Sequence, residues 1–542
     1  MNILIVIPAR GGSKGIPRKN VRSLAGKPLI YYSIINGLHV KYNCDVYVSS
    51  EDDEILSISQ KFGAKVFKRD LSLSLDSITL DAVIYDTYKA ATKYEQKHYD
   101  LIVTLQPTSP LLTSKSIELA IESMINDDTV DTIISAKEET HLTWGISNGQ
   151  FVPNYHERLN RQYLPKSYTE TGGFLICRES VISEKSRIGK KVSLHILESK
   201  ETIDIDNYED WSLCEFYLKR KKIVFLVSGY NEIGLGHIYN SLILASSILE
   251  HEIIFFCDSK SALGYEKIKE NNYPCLIQST NDIQEEVLKI LPDVIISDRL
   301  DTKVEDVDKF LDHGVYLIHF EDLGDGAKQA NLVFNAIYPE NEKLRNHYFG
   351  PKYFCARDEF IHSEIKVLSR SVNTVLIAFG GVDPNNLTLK VIQSIYEYCQ
   401  QNSIKIQVVC GFGYKYIDSI QVYSNIEVFS NVKNISMYML SADIVFTSAG
   451  RTTYELAILG LPSIVLAQNE RELTHFFAGE KYGFINLGLG LTVSNENILA
   501  KFKYSLDYKV RQTMQQKMLK EDLKLGKQRV VNLIKNLINN IQ

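Results

Sequence analysis

Short apolar runs alternate with amphipathic stretches along the first part of the chain. Residues 2–7, 45–49, 65–67, 101–105 and 132–136 are hydrophobic runs of strand length, and residues 28–38, 53–62, 79–93 and 114–125 repeat their apolar positions with helical period. Continuous apolar runs belong to strands buried on both faces, so the alternation predicts a mostly parallel sheet with helices on each side. A helical stretch over residues 208–218 ends in Lys219-Arg220-Lys221-Lys222, and a fresh apolar run starts at Ile223. That charged run reads as a solvated helix end and linker, which places a domain boundary near Lys221. Beyond it, runs at 223–227, 293–298, 317–320 and 375–379 repeat the pattern. The expected fold class is α/β, with a Rossmann-like domain over residues 1–220 and a second domain over 221–542. The second domain is expected to consist of two doubly wound halves, about 221–365 and 366–542.

In open parallel sheets, ligands sit at the carboxyl ends of strands. The first strand runs into Pro8-Ala9-Arg10-Gly11-Gly12-Ser13-Lys14-Gly15, and Arg18, Lys19 and Asn20 follow closely. A glycine-rich loop crowded with cations is a polyphosphate cradle, because free N–H groups and flanking ammonium or guanidinium groups all face the anion. It is neither a Walker A loop nor the G-x-G-x-x-G fingerprint. Gln106-Pro107-Thr108-Ser109-Pro110 lies at a second strand end, where the Gln106 amide offers donor and acceptor together. Asp204 and Asp206 stand two residues apart; on an extended segment they would share one face and could hold a Mg²⁺ with phosphate oxygens.

Bulk properties narrow the class. At 542 residues the chain exceeds what a single core organises. Its 44% hydrophobic and 23% charged residues are those of an ordinary globular protein, and a net charge of −6 argues against a general nucleic-acid binder. The 8 cysteines are scattered without C-x-x-C pairs, as in reduced cytosolic proteins. No apolar run approaches membrane length, so a cytoplasmic protein without a membrane partner is expected.

Together, residues 7–20, the Leu105-Gln106-Pro107-Thr108-Ser109-Pro110-Leu111 segment and Ile203-Asp204-Ile205-Asp206 resemble the N-acylneuraminate cytidylyltransferase family, the CMP-sialic acid synthetases, over roughly residues 1–215. The resemblance implies CMP transfer from CTP to a nonulosonic acid with Mg²⁺ as cofactor. It implies a CTP site at Arg10, Gly11, Gly12, Ser13, Lys14, Lys19, Asn20, Asp76 and Ser77, with Lys14, Lys19 and Asp206 as catalytic groups. Asp204 and Asp206 would hold the metal, and Gln106, Arg161 and Gln162 would face the sugar acid. Where many members carry Asn-Gly before the next strand, this chain has Thr171-Gly172-Gly173. A homodimer is implied, with an insertion near residues 138–158 as the swapped element.

The second domain opens in the same way, with a strand and then Ser228-Gly229-Tyr230-Asn231-Glu232-Ile233-Gly234-Leu235-Gly236-His237. Glycine turns entering a helix favour phosphate or sugar, and a histidine at the mouth of such a turn fits a general base titrating near neutral pH. With Gly380-Gly381 and Thr447-Ser448-Ala449-Gly450 further on, the set describes two halves of GT-B type and resembles the UDP-sugar hydrolases of the pseudaminic acid pathway and, more distantly, MurG-like glycosyltransferases. The resemblance implies that His237 activates water at the anomeric carbon of a UDP-linked amino sugar, with Gly236 and Asp298 beside it. Gly380, Gly381, Ser448 and Gly450 would hold the diphosphate, and Glu455 the ribose. Backbone amides suffice for such a diphosphate, so no metal is expected in this domain. Arg299-Leu300-Asp301 replaces the hydrolases' usual His-Tyr-Gly after Asp298. The combined expectation is a bifunctional enzyme of nonulosonic acid biosynthesis; the alternative makes the second domain a glycosyltransferase or a non-catalytic sugar-nucleotide-binding module.

Overall fold

The computed structural model describes residues 1–13, 15–340, 343–430 and 432–541. The chain divides into two compact units, Met1–Arg220 and Lys221–Gln542.

The first unit is built on a seven-stranded sheet in the order Val192–Ile196, Thr132–Glu138, Tyr168–Arg178, Leu101–Leu105, Ile3–Pro8, Cys44–Ser50, Lys65–Lys68. Every pairing is parallel except those of Tyr168–Arg178, which runs antiparallel to both neighbours. The central strand explains the continuous hydrophobicity of its sequence. Ile3, Ile5 and Ile7 pack on one face against Ile30, Ile34, Ile117 and Ile121, while Leu4 and Val6 pack on the other against Ile84, Ala91 and Tyr99. Thr171-Gly172-Gly173 does not precede a strand, as expected from sequence, but lies inside the long antiparallel one. Gly172 adopts φ +73, a left-handed conformation that glycine takes without strain, and the register shifts between Glu170 and Leu175. The insertion after Glu138 forms a two-stranded hairpin, Trp144–Ser147 with Gln150–Pro153, turned by Asn148 and Gly149 at φ 50 and 79. Positive φ at both positions is what a tight Asn-Gly hairpin turn requires.

The second unit holds two fully parallel sheets. The first has the order Cys275–Ile277, Glu252–Cys257, Lys222–Val227, Val294–Asp298, Tyr316–Phe320, Leu332–Asn335, His347–Phe349, and the second Ile426–Ser430, Lys405–Cys410, Thr374–Ile377, Ile444–Thr447, Ser463–Ala467, Ile485–Leu489. In each sheet the strand order reverses beside the first strand, which opens a crevice at the strands' carboxyl ends. Two such halves constitute the GT-B architecture. The last helix, Gly526–Asn539, crosses back from the second half and buries Val530, Val531, Ile534 and Ile538 among Ile223, Phe225 and Phe255 of the first.

Ile534 is fully buried in that returning helix. Its replacement by alanine is expected to cost about 2–5 kcal/mol, read as a lower urea midpoint of the circular-dichroism transition; an unchanged midpoint would mean the helix does not hold the first half's core together.

Candidate functional site

In the first unit, the turn after Ile3–Pro8 meets the segment carrying Asp204 and Asp206. The Lys19 ammonium donates to the Ile205 carbonyl at 2.6 Å and stands 4.0 Å from Asp206 Oδ1. A Cβ on Gly15 would fall 2.4 Å from the Asp206 carbonyl oxygen, so only glycine permits the approach. Across the crevice, a Cβ on Gly172 would lie 3.3 Å from Gln106 Nε2 and 3.6 Å from Asp204 Oδ2, which puts the Gln106 amide and the Asp204 carboxylate at one bulge. Asp204 Oδ1 is buried without a hydrogen-bond partner among the described residues. Burial, opposed by Thr108 and Lys19 and reinforced by the neighbouring Asp206 charge, pushes the Asp204 carboxyl above its usual range. A carboxylate oxygen in that state gains from a cation more than from water.

Several expected contacts differ. The acidic pair does not lie on a strand with matching exposure. Asp204 is half-buried whereas the Asp206 side chain is 80% exposed, because fully buried Ile205 anchors the segment between them. The Gly11 N–H is not free for phosphate: it donates to Glu51 Oε1 at 2.7 Å, and the Glu51 carboxylate also holds Arg69 and Ser74. Gly11 is glycine because Asp52 Oδ2 would lie 2.4 Å from its Cβ. Arg18 is likewise engaged, by Asp52 at 2.5 Å and by Glu54. Asn20 is buried and spends its amide on the Arg10 carbonyl at 2.9 Å, pinning the turn from within. Arg10 pairs with Asp76 at 2.7 Å, closing the turn toward Asp76 and exposed Ser77. Gly12 has open space where a Cβ would stand, and Ser13 beside it is partly exposed. Lys14 lies outside the described residues. Arg161 and Gln162 sit exposed in a one-turn 3-10 helix, and neither side chain hydrogen-bonds a described residue.

In the second unit, His237 lies in the first turn of the helix Gly236–Ala245, and its Nδ1 is 2.6 Å from Asp298 Oδ1 at the end of Val294–Asp298. A carboxylate only accepts, so Nδ1 carries the proton and Nε2 is left as a base. Asp298 is fully buried beneath His237 and does not line the cavity, so it orients the histidine where the sequence suggested a ligand contact. A cavity of about 280 Å³ spans the two switch points and is lined by Gly236, His237, Gly380, Gly381, Ser448, Gly450 and Glu455. Gly380 takes φ +82, which turns the chain sharply after Thr374–Ile377. Both Glu455 oxygens are held by Arg357, Nε at 2.8 Å and Nη2 at 2.9 Å, a fork that fixes the carboxylate and leaves a lone pair on each oxygen.

Other cavity groups escaped sequence reading because they gather only through the fold. Arg471 spans the crevice between halves to Asp301, with Nη1 at 3.0 Å and Nη2 at 2.9 Å, and donates from Nε to the Tyr338 hydroxyl at 2.5 Å. Asp301 belongs to the Arg299-Leu300-Asp301 departure, whose role here is thus a tie between halves. Glu321 follows Tyr316–Phe320 with φ +52, unusual for a residue with a Cβ, and is 2% exposed. Its position at a strand's carboxyl end was the one available signal. Burial pushes its carboxyl up to about 7 against the opposing pull of Arg451. Glu472, which accepts from the Gln468 and Ala449 amides at 2.8 and 3.2 Å, is pushed up to about 7 by the same cause. His475 Nδ1 donates to the Ala449 carbonyl at 2.9 Å; burial draws this imidazole down to about 4, and its Nε2 has no partner among the described residues.

The raised carboxyls set a pH window. Each is protonated more readily folded than unfolded, so its contribution is full below the unfolded pKa of about 4.5 and is lost as pH climbs through about 7. The Tm of Glu321→Gln relative to wild type should therefore rise between pH 5 and pH 8; an equal difference at both would show that Glu321 ionises without penalty.

The cytidylyltransferase family model matches residues 4–150. Pseudaminic acid cytidylyltransferase of Campylobacter jejuni is 33% identical over 226 residues, which cover 40% of this chain and 97% of that protein. A Helicobacter pylori protein described as pseudaminic acid cytidylyltransferase and UDP-2,4-diacetamido-2,4,6-trideoxy-beta-L-altropyranose hydrolase is 22% identical over 495 residues, 86% of this chain and 88% of its own. An uncharacterized protein of Methanocaldococcus jannaschii is 34% identical over 274 residues; that match covers 46% of this chain, which spans 56% of the archaeal protein. Through its first unit, the chain belongs to the cytidylyltransferase family.

Proposed function

We propose that the chain is a bifunctional enzyme of nonulosonic acid biosynthesis. The first unit transfers CMP from CTP to a nonulosonic acid and releases pyrophosphate; the second hydrolyses a UDP-linked diacetamido-trideoxy sugar and releases UDP. The observation that carries this reading is the similarity to the two-activity Helicobacter pylori protein, which runs through 86% of the chain. The His237–Asp298 pair at the mouth of the second unit's cavity supports the hydrolytic half.

In the first reaction the sugar acid's hydroxyl attacks the α-phosphorus of CTP, and pyrophosphate departs from the opposite side. Lys19, held at the Ile205 carbonyl, places an ammonium where triphosphate charge collects, and Arg10 adds a second cation at the turn. Gln106 faces the acceptor sugar, and the Arg161 guanidinium, with Gln162, meets its carboxylate. Asp204, with its unpartnered Oδ1, and Asp206 would hold Mg²⁺, which supplies charge neutralisation at the α-phosphate when bound. In the second reaction His237 Nε2 takes a proton from water as it attacks the anomeric carbon. The C–O bond to the diphosphate breaks, and backbone amides around Gly380, Gly381, Ser448 and Gly450 receive the departing charge. Glu455, fixed by Arg357, accepts the ribose hydroxyls.

A second copy of the chain is the proposed partner. The hairpin exposes Trp144, Ile146 and Phe151 by 55%, 72% and 77%, an apolar set that a dimer would cover. No helix of the described residues is long and apolar enough to cross a membrane. All 8 cysteines are free, which suits the cytoplasm that we propose as the compartment.

Asp206→Asn should lower cytidylyl transfer by about 10²-fold or more and leave hydrolysis of the UDP-sugar intact, while His237→Ala should do the reverse; loss of both activities from either change would point to one shared site. Chelation of divalent cations with EDTA should stop pyrophosphate release and spare UDP release without any acceptor present. UDP release that needed an added acceptor would make the second unit a transferase. Sedimentation of Phe151→Lys as a monomer beside a dimeric wild type would support the hairpin interface, and an unchanged dimer would remove it.

A further inference from the structure

Behind His237 the hydrogen bonds continue past Asp298. The other carboxylate oxygen, Oδ2, accepts from Asn240 Nδ2 at 2.6 Å, and Asn240 Oδ1 accepts from Arg451 Nη2 at 2.6 Å. Asn240 is 1% exposed, one helical turn beyond His237 on Gly236–Ala245. Arg451 belongs to the second half, where it immediately precedes the helix Thr452–Leu459 and adjoins Gly450 of the diphosphate turn. Its guanidinium stacks over Phe354 with the central carbon 4.6 Å from the ring centre, and Nη1 lies 3.5 Å from Glu321.

The chain has a polarity. A guanidinium can only donate, so the Asn240 oxygen must face Arg451 and its NH₂ must face Asp298. A carboxylate can only accept, so Asp298 takes that NH₂ on one oxygen and the His237 Nδ1–H on the other. Asp298 itself sets the tautomer in which Nε2 is free to accept a proton; Asn240 and Arg451, behind it, fix which carboxylate oxygen faces His237 and so where the ring stands. Arg451 keeps unused N–H groups, so it can add a phosphate oxygen without releasing Asn240.

We propose that Asn240 and Arg451 are positioning residues that tie the base form of His237 to nucleotide held on the other half of the second unit. This deepens the hydrolase reading and rests on it. Besides Asp298, the His237 ring interacts electrostatically with Glu321 from its own half and with His475 from the other. Asn240 is the neutral link through which Arg451 reaches Asp298.

The test uses the full chain, the isosteric variant Asn240→Asp and UDP as the probe. An aspartate can accept from Arg451 but, ionised, cannot donate to Asp298. Steady-state hydrolysis should show kcat about 10²-fold lower with KM within about threefold of wild type. ¹⁵N-histidine NMR, with the His237 signal assigned through His237→Gln, should show Nδ1–H and a bare Nε2 in wild type, and a shift of that signal on adding UDP. Asn240→Asp should bind UDP with Kd within about threefold yet show the His237 signal displaced from its wild-type position before UDP is added, and no UDP-dependent shift. Arg451→Met should lose the UDP response of His237 while Asn240 is intact. A variant spectrum and UDP response identical to wild type, or an unchanged kcat, would overturn the inference. If wild type released no UDP from any UDP-sugar, the hydrolase reading would fail, and the NMR comparison would still decide whether the two halves are coupled.

Discussion

A parallel sheet whose strand order reverses beside its first strand leaves a crevice that the sheet's own side chains cannot fill, and each of the three large sheets here builds one. Beside Ile3–Pro8, Lys222–Val227 and Thr374–Ile377 the connections leave to opposite sides, and a glycine-bearing turn follows each of those strands. The candidate groups gather around those turns. In the first unit the neighbouring strand end brings Gln106, and the antiparallel strand adds the bulge at Gly172, beside which Asp204 lies. In the second unit the neighbouring strand ends bring Asp298 and the Ser448–Gly450 turn.

The crevices share a geometry and differ in charge. The first unit collects ammonium and guanidinium groups against a pair of carboxylates, as transfer from a triphosphate demands. The second keeps its acids buried. Asp298 is shielded under His237, Glu321 and Glu472 are held toward their neutral forms by burial, and His475 is neutral near pH 7. These acids therefore present few bare negative charges to the cavity. The price of that arrangement is strain and desolvation at Glu321, whose backbone adopts a left-handed conformation in a fully enclosed place.

The α/β class and the turns were legible because both are local. Two-sided burial writes itself as an unbroken apolar run such as Ile3–Pro8, and a crevice turn writes itself as glycine beside cations or histidine. Gly15 and Gly172 could be seen as glycines from sequence, but what requires them, the Asp206 carbonyl beside Gly15 and the φ of +73 that the bulge imposes on Gly172, is set by segments far away in the chain. The same distance hid Arg357 and Arg471, neither of which stands in a recognisable pattern, and the contacts of Arg451, which adjoins the Ser448–Gly450 turn; each meets a carboxylate or amide from another element. Gly11 and Asn20 show the opposite error. Their residue types suited phosphate binding, but Glu51 and the Arg10 carbonyl occupy those donors, because a turn must satisfy its own buried groups first.

The two chemistries can be observed together by mass spectrometry of a single reaction in H₂¹⁸O containing CTP, Mg²⁺, mixed nonulosonic acids and a UDP-diacetamido-trideoxy sugar. A bifunctional enzyme with water attacking the anomeric carbon predicts a CMP-nonulosonate, one ¹⁸O in the released sugar and unlabelled UDP. Absence of the CMP adduct, or ¹⁸O appearing in UDP in place of the sugar, would contradict it.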